Sequence, residues 1–102
     1  MDYDLRKQVV IFQPGRFSLG RLVATSAAAA ALTTGDIGKA LGRHASGDWG
    51  DLDEHDWEAN EDAIEYGGRL LSIYHAESNG ERFWVITDAD RSATTVLFPS
   101  EY

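Results

Sequence analysis

The chain has 102 residues, 43% hydrophobic and 11% aromatic, which suits one globular domain with a single modest core. Nine Lys and Arg against 17 Asp and Glu give a formal net charge of −8, pointing away from nucleic acid or an anionic membrane as a direct partner. The absence of cysteine excludes disulfides, thiolate catalysis and Cys-ligated zinc. With no signal-peptide pattern and no apolar run of membrane length, a cytoplasmic protein is expected.

Residues 1–18 read as an N-terminal extension or an added strand, ahead of a single α+β domain over residues 19–102. Within the extension, residues 7–12 (KQVVIF) form a short β-prone run, stopped by the turn signal Gln13, Pro14, Gly15. Residues 19–25 (LGRLVAT) alternate loosely as another short strand. Ser26 is placed to cap a helix of alanines over residues 27–32, which Thr33, Thr34 and Gly35 then break. Asp36 is placed to cap a second short helix, with Ile37, Ala40, Leu41 and His44 on one stripe. At the end of an apolar stripe, His44 reads as a packed, hydrogen-bonded histidine that orients residues 46–50. The rival reading joins His44 to Asp48 or Asp51 as the acid–base or metal site of a small hydrolase. Their spacing matches no zinc signature.

Residues 44–67 carry nine carboxylates (Asp48, Asp51, Asp53, Glu54, Asp56, Glu58, Glu61, Asp62, Glu65), two tryptophans and no Lys or Arg. So acidic a segment usually stays disordered, but Trp49, Trp57 and Ile64 argue for order. Asp53 is a natural N-cap, and Gly67 with Gly68 supplies the stop. Between them Trp57, Asn60, Ala63 and Ile64 fall on one helical stripe, and Glu54, Glu58, Glu61, Asp62 and Glu65 on the opposite one. Acids in the first turn favour the helix dipole, but Glu61, Asp62 and Glu65 sit where it favours cations. The like-charge pairs Glu54–Glu58, Glu58–Asp62 and Glu61–Glu65 each cost about 0.2–0.5 kcal/mol. If residues 48–65 were all helical, they would span about 27 Å. That is one charge per roughly 3 Å, against roughly 3.4 Å for one DNA strand.

The C-terminal third holds three β-rich runs, residues 69–76, 82–87 and 93–98. Ser78, Asn79 and Gly80 read as a hairpin turn, and residues 88–92 connect the second and third runs. Phe83 and Val85 face one way and Trp84 and Ile86 the other, so that strand is central and helices cover at least one side. The expected fold is α+β: a three- to four-stranded antiparallel meander packed with two or three short helices, one strongly acidic. Trp84, Ile86, Leu71, Ile73, Val96 and Trp57 are expected in one core. Asp88, Asp90, Arg91 and Ser92 crowd a turn, where Asp90 and Arg91 read as a surface pair. There is no phosphate loop, nucleophile elbow or paired-histidine motif. No catalytic residue, metal or cofactor is therefore expected.

The strings SGDWGDLDEHDWEANEDAIEYGGRLLSIY and ERFWVITDADRSATTVLFPSEY, with residues 46–52 and 87–95 as the most specific blocks, resemble a family of small acidic proteins carried by plasmids, phages and integrative elements. Members are often labelled plasmid-related or type I restriction subunit M-like. The resemblance also covers residues 19–25, about the last four-fifths of the chain, and brings no catalytic residues with it. It implies a mobile element coexisting with host defence. Joined to the acidic helix, it leads us to expect an inhibitor of a host nucleic-acid-binding defence system, anti-CRISPR or anti-restriction, acting by nucleic-acid mimicry on a basic protein surface. The expected partner-binding residues are Asp53, Glu54, Glu58, Glu61, Asp62 and Glu65, with Asp48, Asp51, Asp88 and Asp90 secondary. The alternative is a non-catalytic accessory or structural protein of plasmid or phage maintenance.

Overall fold

In chain order the elements are β1 (Asp2–Asp4), β2 (Arg21–Thr25), α1 (Ser26–Ala31), α2 (Thr34–Ala45), α3 (Glu54–Tyr66), β3 (Leu70–His75), β4 (Arg82–Thr87) and β5 (Ala93–Leu97), closed by a 3-10 turn over Pro99–Glu101. They are seen in a computed structural model that describes residues 2–5 and 15–102. The strand expected at residues 7–12, and Gln13 and Pro14 of its turn, lie outside the described residues.

The fold is α+β. Its five strands form one sheet in the order β1-β2-β5-β4-β3. Val, Ile, Phe and Trp crowd β4, which lies between β3 and β5 and is antiparallel to both. The expected all-antiparallel meander is corrected on the other side of β5, where β2 runs parallel to it. Hairpin loops force antiparallel neighbours, but β2 and β5 are joined through three helices and the β3–β4 hairpin, a route long enough for a parallel return. The β3–β4 turn is the one the sequence indicates, with Gly80 at φ +74°.

The two helix caps shift towards the N-terminus, by one residue for α1 and by three for α2. Thr25, not Ser26, caps α1 by accepting from the Ala28 N–H at 3.2 Å. Thr33 caps α2, and Asp36 is the third residue of a reciprocal capping box, with both bonds at 3.0 Å. The threonines that read as a break therefore begin the next helix. Such a cap is worth about 1 kcal/mol.

Alternation along the strands splits the apolar residues into two sets. Phe83, Val85, Val96, Tyr74 and Ala24 pack under Ala28 of α1, Leu32 just after it, and Ile37, Ala40 and Leu41 of α2. A second cluster holds Trp49, Ala63 and Leu70, with Phe17, Leu52, Trp57 and Ile64 against it. The single core expected from six residues is corrected accordingly. Val96 pairs with Val85, whereas Trp84 and Ile86 pair with Leu97 and Thr95 on the opposite face. Trp57 belongs to the second cluster and is only half-buried, while the loop residue Trp49 is fully buried. Among the described residues no helix is long and apolar enough to cross a membrane.

Candidate functional site

The acidic helix forms where its caps place it. Asp53, with extended backbone, accepts the Asp56 N–H at 2.8 Å, and Gly67 at φ +95° ends the helix. Its inward face docks on the edge of β3 through one polar residue. The buried Asn60 side chain donates to the Leu71 carbonyl at 2.6 Å and accepts the Leu71 N–H at 3.1 Å, standing in for a neighbouring strand. One residue pair further along, Asp51 N–H donates to the Ile73 carbonyl and Ile73 N–H to the Trp49 carbonyl. Gly50 lies so close at this bridge that a Cβ would sit 2.0 Å from the Ile73 oxygen. Both edges of contact cover a strand that would otherwise be open to pairing.

Two arginines from outside the segment fix α3 in place. Arg16 Nη1 and Nη2 reach the two Glu61 oxygens at 3.0 and 2.9 Å, and Trp49 Nε1 donates to the same carboxylate at 2.9 Å. The bonds from Arg16 first, and Trp49 second, hold the Glu61 carboxyl below its usual range. Gly47 leaves room for this, since a Cβ there would lie 2.3 Å from Arg16 Nη1. At the other end Arg91, at φ +61°, donates to the Gly68 carbonyl at 2.6 Å and the Ala63 carbonyl at 2.9 Å. The cation missing from the last turn of α3 thus arrives from the β4–β5 turn, where it complements the negative end of the helix dipole. The expected Asp90–Arg91 surface pair is corrected: Arg91 reaches α3, and Asp90 accepts the Ser92 N–H at 3.0 Å.

These contacts sort the expected partner-binding residues. Glu61 is a structural ligand of Arg16 and Trp49, and Asp53 a helix cap. Asp48 is bound by Arg43 Nε at 2.8 Å and Nη2 at 3.2 Å, and Asp51 lies 3.4 Å from His75 Nε2. Asp88 is exposed on the β4–β5 turn. The structure leaves Glu54, Glu58, Asp62 and Glu65 exposed, with no hydrogen bond or ion pair among the described residues. At about 100° per residue these four share an arc of about 80° on the outward face of α3. They span about 16 Å of helix axis, or one charge per roughly 5 Å. The 27 Å acidic rod of the sequence reading is corrected by this geometry, because residues 48–53 are not helical and Asp48 and Glu61 are already paired with Arg43 and Arg16. The arc is sparser than one strand of a duplex, at roughly 3.4 Å per phosphate.

The hydrolase constellation is not assembled. His44 is fully buried, with Phe17 and Trp49 edge-on to its ring at 5.3 and 5.5 Å. Its nitrogens meet Ser72 Oγ at 2.5 Å and Thr87 Oγ1 at 2.9 Å, not Asp48 or Asp51. The chain continues from Thr87 to Thr94 at 2.7 Å and ends at the Leu19 carbonyl at 2.7 Å. A carbonyl only accepts, so Thr94 donates to it, Thr87 to Thr94, and His44 through Nε2–H to Thr87. Nδ1 is then the acceptor of the Ser72 hydroxyl. Burial, and secondly the Arg91 charge, push the His44 pKa down to about 3. Among the described residues Asp53, His55 and Asp56 could bring one ligand atom each within 4.8 Å of one another, but all three are exposed.

Compared with protein-family models, curated proteins and solved structures, the chain shows no match. The residues that hold the site and carry no local sequence signal are Arg16, Arg91 and Asn60. The first two act on partners 45 and 28 positions away, and Asn60 stood on the buried stripe with no sign of its strand-like pairing.

Proposed function

We propose that this chain inhibits a host nucleic-acid-binding defence protein, of CRISPR or restriction type, by placing the arc of Glu54, Glu58, Asp62 and Glu65 in a basic groove that otherwise takes phosphates. The observation that carries the reading is the division of labour among the acids. Glu61 and Asp48 are paired with Arg16 and Arg43 in part-exposed ion pairs, while the four on the arc have no cation among the described residues. Such a face raises the association rate with a basic partner and makes binding salt-sensitive. The resemblance to small acidic proteins of mobile elements supplies the setting, a cytoplasm in which incoming DNA meets host defence. The sparse arc fits a groove for a few phosphates better than a full duplex channel. The test is capture of the tagged chain's partner from a defence-bearing host, followed by competition with that partner's nucleic acid. Displacement of the nucleic acid by the chain supports mimicry, and simultaneous binding of both contradicts it.

A second reading is favoured by a specific observation. Asp36 and Asp53 act as helix caps, Asp48 and Glu61 in ion pairs, and Asp90 in a turn hydrogen bond. Much of the acidity therefore has structural work, as in a non-catalytic accessory protein of plasmid or phage maintenance. Loss of plasmid or phage propagation on deletion, in a host without defence systems, would favour this second reading.

A further inference from the structure

The fold treats its own arginines in a recurrent way. Arg43 lies 4.5 Å from the centroid of the Tyr74 ring while its N–H groups bind Asp48. Arg91 lies 5.8 Å from the Phe17 ring while it binds the Ala63 and Gly68 carbonyls. Arg69 lies 4.9 Å from the Tyr102 ring. In the first two, a planar cation is shared between an aromatic face and oxygen acceptors, which suits guanidinium and not ammonium. Near the C-terminal end of α3, Tyr66 and Asp62 supply a ring and an acid that Arg91, bound to the Ala63 and Gly68 carbonyls, does not meet. Tyr66 is 79% exposed, more than Tyr102 at 65% or Tyr3 at 49%. Asp62 lies one turn before it, where side chains four apart have Cβ atoms about 5–6 Å from each other. Neither has a partner among the described residues.

We propose that Tyr66 and Asp62, flanked by Glu58 and Glu65, form a seat for an arginine side chain of the partner protein, with the guanidinium stacked on the Tyr66 ring and hydrogen-bonded to the Asp62 carboxylate. The proposal rests on the reading of α3 as a protein-binding face and names the chemistry of its partner. A lysine is held less well, because its compact, strongly hydrated ammonium cannot lie flat on the ring while bonding the carboxylate in the same plane. The seat therefore gives the acidic face a preference among basic surfaces that charge by itself does not provide.

The test uses the full chain and two synthetic probes of equal length, oligo-arginine and oligo-lysine, titrated at one ionic strength. The expected result is tighter binding of oligo-arginine by the parent. In Tyr66→Ala that affinity should fall about two- to fivefold, the range of an exposed cation–π contact, with a smaller fall for oligo-lysine. Tyr66→Phe keeps the ring and should keep the preference, and Asp62→Asn should weaken both probes. Equal affinities in the parent, or an equal loss of both probes in Tyr66→Ala, would overturn the seat. Failure of the chain to protect against any defence system would count against the inhibitor reading and leave an arginine preference standing.

Discussion

His44 sits where a charged imidazole would have neither water nor an acidic partner, held neutral by burial and secondly by the Arg91 charge, with its nitrogens satisfied by a directed chain of hydroxyls. Its pKa in the fold is pushed down to about 3 from an ordinary 6.5, so the unfolded chain takes up the proton first on acidification. The stability held in the neutral ring is full above about pH 6.5 and drains as pH falls towards 3, by up to about 1.4 kcal/mol per pH unit. His44→Gln should be less stable at pH 7, with a flatter decline to pH 4.5 than the parent. Urea unfolding at the two pH values measures this, and parallel declines would show that the ring titrates normally. The tryptophans divide in the same residue-by-residue way. Trp49 is fully buried and donates to Glu61, so Trp49→Ala should cost about 3–5 kcal/mol. Trp57 is half-buried, and Trp57→Ala should cost clearly less. Equal losses on chemical denaturation would contradict the placement of these rings.

Among the elements, α3 was legible because its determinants are local. The Asp53 cap acts three residues away, and the stripe of Trp57, Asn60, Ala63 and Ile64 repeats within two turns. Its anchoring was not legible, because Arg16 and Arg91 reach it from distant loops and the Asn60 side chain imitates a strand. Arg91 also resolves a local conflict, supplying a cation to carbonyls at a helix end that the sequence made acidic. Asn60→Ala would leave the N–H and carbonyl of Leu71 without partners, at about 1–3 kcal/mol for each group. Hydrogen exchange at the Leu71 amide should rise in that variant well above any global loss of stability. Unchanged protection would mean that another group pairs this edge of β3.

At the scale of the molecule, the hairpin of β3 and β4 and its central strand could be read from Asn79, Gly80 and the two-sided apolar pattern of residues 83–86. The parallel pairing of β2 with β5 could not, because strand direction across a long connection leaves no mark in either strand. The same limit applied to the charge. The sequence offered nine acids as one surface, and only the contacts of the folded chain separate Asp48 and Glu61, paired with Arg43 and Arg16, from the four acids with no partner among the described residues. The central claim is that this arc binds the partner, and the measurement that tests it most directly is phage or plasmid protection by a variant with Glu54, Glu58 and Glu65 changed to Gln and Asp62 to Asn. Removing like-charge neighbours should leave the fold intact or slightly firmer, by about 0.2–0.5 kcal/mol per relieved pair. The account predicts that this folded variant loses protection and that its residual partner binding depends little on salt. Protection equal to the parent's, with the same salt dependence, would contradict it.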